Sequence, residues 1–175
     1  FHLCNFTKKE AEIYRCDEFQ LKCSVEDVFW KAIYIKTVLK SVENLDVRLA
    51  IGIGEENFSS NKITESNGSA YVNSGHLLNQ IKLENTTLAI KTTDENLTAD
   101  LALILKWCSL DFDSWSMATA EILSILINDI TLTQEDLAKK LNISQSSVSQ
   151  RLKRANFDLI LETNAYFKTK ITNHK

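Results

Sequence analysis

From Asn142 through Phe157 the chain has no Asp or Glu, yet it carries Arg151, Lys153 and Arg154. Just ahead of these cations stand the short hydrogen-bonding side chains Gln145, Ser146, Ser149 and Gln150. On a helix, this order presents base-edge partners in the first turns and phosphate partners in the later ones. Gln suits adenine and Ser suits several bases, so the expected selectivity is modest. A helix that needed only solubility would mix charge signs, because an i,i+4 ion pair stabilises it by roughly 0.2–0.5 kcal/mol. The alternative is an ordinary helical hairpin with a solvated basic face. The whole chain has a formal net charge of -3, so a basic surface here must be local.

The elements needed to position such a helix can be read on either side of it. Thr133 ahead of Gln134, Glu135 and Asp136 is a capping pattern, with Leu132 before the cap. Leu137, Ala138 and Leu141 form the apolar side of the helix that follows, and Ala138 is small where two helices would cross closely. Asn142 suits a left-handed turn residue. Ile143 is an apolar plug, Ser144 caps the next helix, and Val148 and Leu152 supply its buried stripe. Trp115, Ala118, Ile122 and Ile125 predict a supporting helix upstream, and Ile160, Phe167 and Ile171 a further amphipathic helix downstream. This arrangement is a helix-turn-helix, and it implies duplex DNA contacts from Thr133, Gln134, Ser144, Gln145, Ser146, Ser147, Ser149, Gln150, Arg151, Lys153 and Arg154. Units of this type commonly act in pairs, so a homodimer is expected.

The first part alternates strand and helix patterns. Ile13 and Tyr14, then Phe19 and Leu21, flank a polar tip at Cys16, Asp17 and Glu18 and predict a hairpin. Ser24 with Asp27 resembles a capping box, and Val28, Ala32, Ile35, Leu39 and Val42 have helical spacing. Val47, Leu49, Ile51 and Ile53 alternate with Arg48, Ala50, Gly52 and Gly54, a strand whose second face becomes small enough for close approach. Gly68 to Ile81 predicts a helix and Thr86 to Lys91 a strand, before Leu97, Leu101, Ile104 and Cys108 open an all-helical region. The predicted class is α+β, a small mixed or antiparallel sheet with packed helices followed by an all-α helix-turn-helix domain. The expected boundaries are 1–112 and 113–175.

Other chemistry has little support. Cys4, Cys16, Cys23 and Cys108 lack C-x-x-C spacing and are expected as reduced, mostly buried thiols, with a Cys16 to Cys23 pairing as the alternative. The histidines, His2, His76 and His174, complete no Ser-His-Asp or Cys-His set. Gly52 and Gly54 are not followed by a helix in G-x-G-x-x-G spacing. No catalytic residue, metal site or cofactor is therefore expected. The sequons at Asn5, Asn57, Asn67, Asn85, Asn96 and Asn142 are compositional in a chain expected to be cytoplasmic. No apolar run reaches the roughly 18 residues that a membrane span needs.

The segments IYRCDEFQ, DVRLAIGIGE, ITESNGSAYVNSG and SQSSVSQRLKRANFD together resemble the bacterial SatD family over nearly the whole chain. Members of that family begin with a further strand and helix carrying a Gly-Asp pair, and the start at Phe1 without Met agrees with a preceding segment. They also usually have Gly where Cys16 stands. A more distant resemblance links the hairpin, the R-x-A-I-G-I-G strand and the helix after it to a reduced nucleotide-cyclase or GGDEF-type domain. There, acidic side chains hold two metal ions. Of that set this chain offers only Asp17, so two-metal catalysis is not expected. The helix-turn-helix implies a DNA-binding regulator, and the resemblances add a cyclase-like sensor or dimerisation domain to it. Arg15, Asp17, Gly68 and Ser69 are the candidates for a small-molecule or nucleotide effector, the last two through backbone amides at a helix start. The competing expectations are a nucleotide-handling enzyme and a protein-interaction adaptor.

Overall fold

Strand alternation around Ile13 and Phe19 closes the predicted hairpin: β1 (Ala11–Arg15) pairs antiparallel with β2 (Glu18–Leu21), with Ile13 opposite Phe19. The computed structural model describes residues 11–173 apart from residues 16, 61 and 85, and leaves out the side chains of Tyr14 and Arg15. A 3-10 turn at Val25–Asp27, where the Ser24 hydroxyl donates to the Asp27 carboxylate at 2.8 Å, leads into α1 (Val28–Lys40). Val42 falls beyond that helix and is exposed, because the backbone winds off it through Val42 N–H to Leu39 O and then reverses at Asn44 with φ 58°.

The next strand, β3 (Leu49–Gly52), crosses over through α2 (Ser69–Glu84) to β4 (Leu88–Lys91), which lies parallel to it with Ile51 opposite Ile90. The close approach expected at the small residues is made by α2. A methyl group on Gly52 would sit 2.1 Å from the Ala70 carbonyl oxygen and 2.6 Å from the Ser74 amide. The sequence pattern suggested one small sheet, whereas the strands form two separate pairs. The hairpin is held to the crossover unit by side chains instead of a backbone ladder. Lys82 pairs with Glu18 at 2.6 Å, Lys22 pairs with Glu56, and the Glu12 carboxylate accepts from the Thr64 amide at 3.2 Å.

The last half is helical: α3 (Glu95–Ser114), α4 (Met117–Asn128), α5 (Gln134–Leu141), α6 (Gln145–Arg154) and α7 (Phe157–Thr172). Trp115 is not part of the supporting helix, as its spacing had suggested. It closes α3, buried against Phe112 with ring centroids 4.5 Å apart, and α4 starts after Ser116, whose hydroxyl accepts from the Thr119 amide. The expected C-terminal amphipathic helix is α7, which buries Phe157, Ile160, Phe167 and Ile171. It packs on the start of α1, where Phe167 stacks on Phe29 at 4.6 Å. Buried side chains thus form one cluster from Phe29 to Ile171, crossing residue 113 without interruption. The result is a helix-rich mixed α/β fold, with two small sheets among the described residues. Among the described residues no helix is long and apolar enough to cross a membrane.

Lys36, on α1, is buried and placed by charge. Its ammonium lies 2.6 Å from Asp113 at the end of α3 and 2.7 Å from Asp46 ahead of β3. Burial pushes the Asp46 carboxyl up, but hydrogen bonds from Lys36, the Val47 amide and Lys40 outweigh it, leaving the pKa below the ordinary value of 3.8.

Candidate functional site

The geometry from α4 to α6 is set by caps and a turn. The Thr133 hydroxyl accepts from the Asp136 amide at 3.1 Å and donates to its carboxylate at 2.6 Å, while the Thr133 amide donates to the same carboxylate at 3.0 Å. These two bonds from Thr133 hold the Asp136 carboxyl below the usual range. The predicted cap is thus a full capping box. Asn142 adopts φ 51° and ψ 46°, the left-handed conformation its type suggested, and the Ile143 amide returns to the Ala138 carbonyl at 3.0 Å. Ser144 caps α6 by accepting from the Ser147 amide at 3.2 Å. Leu137 and Val148 are fully buried, and Leu152 packs against the core beside them.

With these residues inward, the successive 100° steps of an α-helix put Ser146, Gln150, Lys153 and Arg154 on the opposite half of α6, and Gln145 and Ser149 on the flank nearer the buried stripe. All six are exposed. Lys153 and Arg154 have no ion-pair partner among the described residues. The remaining candidates are placed differently. Thr133 and Ser144 spend their hydroxyls on caps, Ser147 is half-buried, and Gln134 is exposed on the first turn of α5. Arg151 turns inward: its guanidinium donates to the Ala118 carbonyl at 3.2 Å and lies 3.8 Å from Glu121, so it fastens α6 to α4.

A second feature was not anticipated. Between the hairpin and β3 opens a cleft of about 530 Å³ whose walls include Glu18 to Leu21 and Leu49 to Gly52. Leu49 and Ile53 donate their amides toward β4, so the alternate residues Ala50 and Gly52 turn their backbone groups to the cleft. Gln20, also on its wall, has a buried Oε1 without a hydrogen-bond partner among the described residues. The signal for this cleft lies in long-range strand pairing, which local periodicity does not encode.

The effector candidates are only partly brought together. Asp17 lines the cleft, and the Arg15 side chain lies outside the described residues. Gly68 and Ser69 are not on its walls: the Gly68 amide donates to Asn67 Oδ1 at 2.7 Å, and the Ser69 hydroxyl accepts from the Glu55 amide at 2.9 Å. Among the described residues no group of His, Cys, Asp and Glu side chains could hold a metal ion. Cys23 and Cys108 are half-buried, and Cys4 and Cys16 lie outside the described residues. Burial, reinforced by Asp111, holds the Cys108 thiol up at about 11, so it stays protonated and a poor nucleophile at neutral pH.

Fold and site together define a mixed α/β protein that ends in packed helices, one of them presenting a polar, acid-free outer face. A model of the SatD family matches residues 5–171, and the chain belongs to that family. No curated protein and no solved structure matches it.

Proposed function

We propose that this protein is a DNA-binding transcriptional regulator, working as a homodimer, in which α4 to α6 act as a helix-turn-helix and α6 enters the major groove. The observation that carries this is the solvent side of α6: six exposed polar or cationic side chains, four of them opposite the buried stripe, no carboxylate, and two cations without an ion-pair partner among the described residues. Such cations displace counterions when they meet phosphates, whereas cations already paired would have to break their own contacts first. Lys153 and Arg154 are assigned to phosphates, and Gln145, Ser146, Ser149 and Gln150 to base edges. In this scheme Arg151 holds the helix at its angle and touches no nucleic acid.

The test is selection of bound duplexes from a random pool, followed by fluorescence anisotropy over a salt series. Recovery of a palindrome is expected, with affinity falling steeply as salt rises. Lys153→Ala and Arg154→Ala should each weaken binding across all sequences and reduce the salt slope by about 1. Absence of binding even at low salt would remove this function.

The cleft favours a second activity in the same molecule, the binding of a small-molecule or nucleotide effector by the remnant of a cyclase-like α/β unit. A cavity of about 530 Å³ is of ligand size, and Asp17 and Glu18 lie at its wall. Calorimetry with purine nucleotides and magnesium measures this directly. Asp17→Ala should abolish the heat of binding and leave DNA affinity unchanged; no heat with the unmodified protein would discard the effector site.

A further inference from the structure

α3 is apolar on two sides. Leu97, Leu101 and Leu105 face the core, and on the opposite side Leu103, Trp107 and Leu110 recur at helical spacing and stand 61%, 71% and 65% exposed. A Trp on an isolated solvated face is unusual, and three large apolar residues in one stripe are more so. The stripe continues onto a neighbouring helix. Asn156 donates to Asp111 at 2.9 Å and Lys170 lies 3.6 Å from Asp100, so α7 runs antiparallel beside α3, tied to it at both ends. Between these ties α7 adds the exposed side chains of Leu159 and Tyr166. The five side chains offer on the order of 600 Å² of surface, most of the ~800 Å² per partner that a stable interface buries.

Charge on the rims indicates what covers this face. Lys106 lies on the edge of α3 away from α7, and Glu162 on the edge of α7 away from α3. Both are exposed, with no ion pair among the described residues. The pairings of residue 111 with 156 and of 100 with 170 set residue 106 level with residue 162 along the helix axes. A two-fold axis lying in this face and parallel to the helices would lay α3 of one copy on α7 of the other. It would also bring each Lys106 against the opposite Glu162.

We infer that the α3–α7 face is where two copies of this chain pair, through the Leu103, Trp107 and Leu110 stripe and reciprocal Lys106 to Glu162 contacts. The inference specifies the dimer invoked in the regulator proposal, but it stands on this face alone and its test needs no DNA.

The experiment is sedimentation equilibrium of the full chain, with circular dichroism on each variant to confirm folding. The unmodified protein should be a dimer, and Trp107→Glu a folded monomer. Lys106→Glu and Glu162→Lys should each raise the dissociation constant by about tenfold, and the double reversal should restore it. A monomeric unmodified protein, a Trp107→Glu variant that still dimerises, or a double reversal no tighter than the singles would each overturn the inference. A monomer that still binds DNA removes this face and keeps DNA binding by α6 without the dimer; a dimer that binds no DNA keeps this face and removes the regulator.

Discussion

Single residues on and around α6 divide into those that hold the structure and those that face outward, and substitution should separate them. Arg151→Ala removes the bonds to Ala118 and Glu121, so it should lower the urea midpoint, whereas Lys153→Ala and Arg154→Ala should leave that midpoint unchanged. A null effect of Arg151→Ala on stability would refute its tethering role. Asn142 sits in left-handed space, where a β-branched side chain costs about 1–2 kcal/mol, so Asn142→Val should destabilise by that amount and Asn142→Gly hardly at all, as thermal melts would show. Both the Asn142 turn and the Ser144 cap could be read from the chain, because backbone preference is a property of the residue itself. The inward turn of Arg151 could not, since it depends on a carbonyl thirty-three positions away.

Among the elements, those with strong local periodicity were legible to within a few residues: the hairpin, α1, α2 and the helices from α3 onward. What escaped was pairing. β2 and β3 each look like half-buried strands, and nothing in their alternation specifies that they face each other across a gap instead of sharing hydrogen bonds. The second stripe on α3 was visible in principle at Leu103, Trp107 and Leu110, but core-facing Leu97, Leu101 and Leu105 share the same helical period and dominate the count. Gly52 belongs to this scale because it sets the distance between β3 and α2. Gly52→Ala forces a methyl into the Ala70 carbonyl and should cost about 1–3 kcal/mol in a denaturant titration. An unchanged midpoint would mean that α2 can slide to make room.

In the whole molecule, one continuous core predicts one unfolding event. Phe167→Ala deletes the ring stacked on Phe29 and should cost about 3–5 kcal/mol, lowering a single transition followed equally by tryptophan fluorescence and circular dichroism. Two separated transitions would show that residues 113–175 unfold independently, the division suggested by the composition change along the chain. Acid should act on the same assembly. Because the folded pKa of Asp46 is depressed, its contribution is present above the unfolded value, near 3.8, and is lost as pH falls through the lower folded one. Stability measured in the acid range should therefore drop less steeply in Lys36→Met than in the unmodified protein, and equal slopes would exclude the Lys36 pair as the cause.

The position of α7 also gives the molecule a mechanical property. α7 leaves α6 at the left-handed Asn156 and then clasps the beginning of α1, whose Val28, Ala32 and Ile35 border the cleft. Under the proposed function, a shift of α1 on filling that space would pass through α7 to the base of the outward helix, and a load on that helix would return along the same lever. Any coupling between occupancy at one end and grip at the other would then be equal in both directions, as reciprocity between linked equilibria demands.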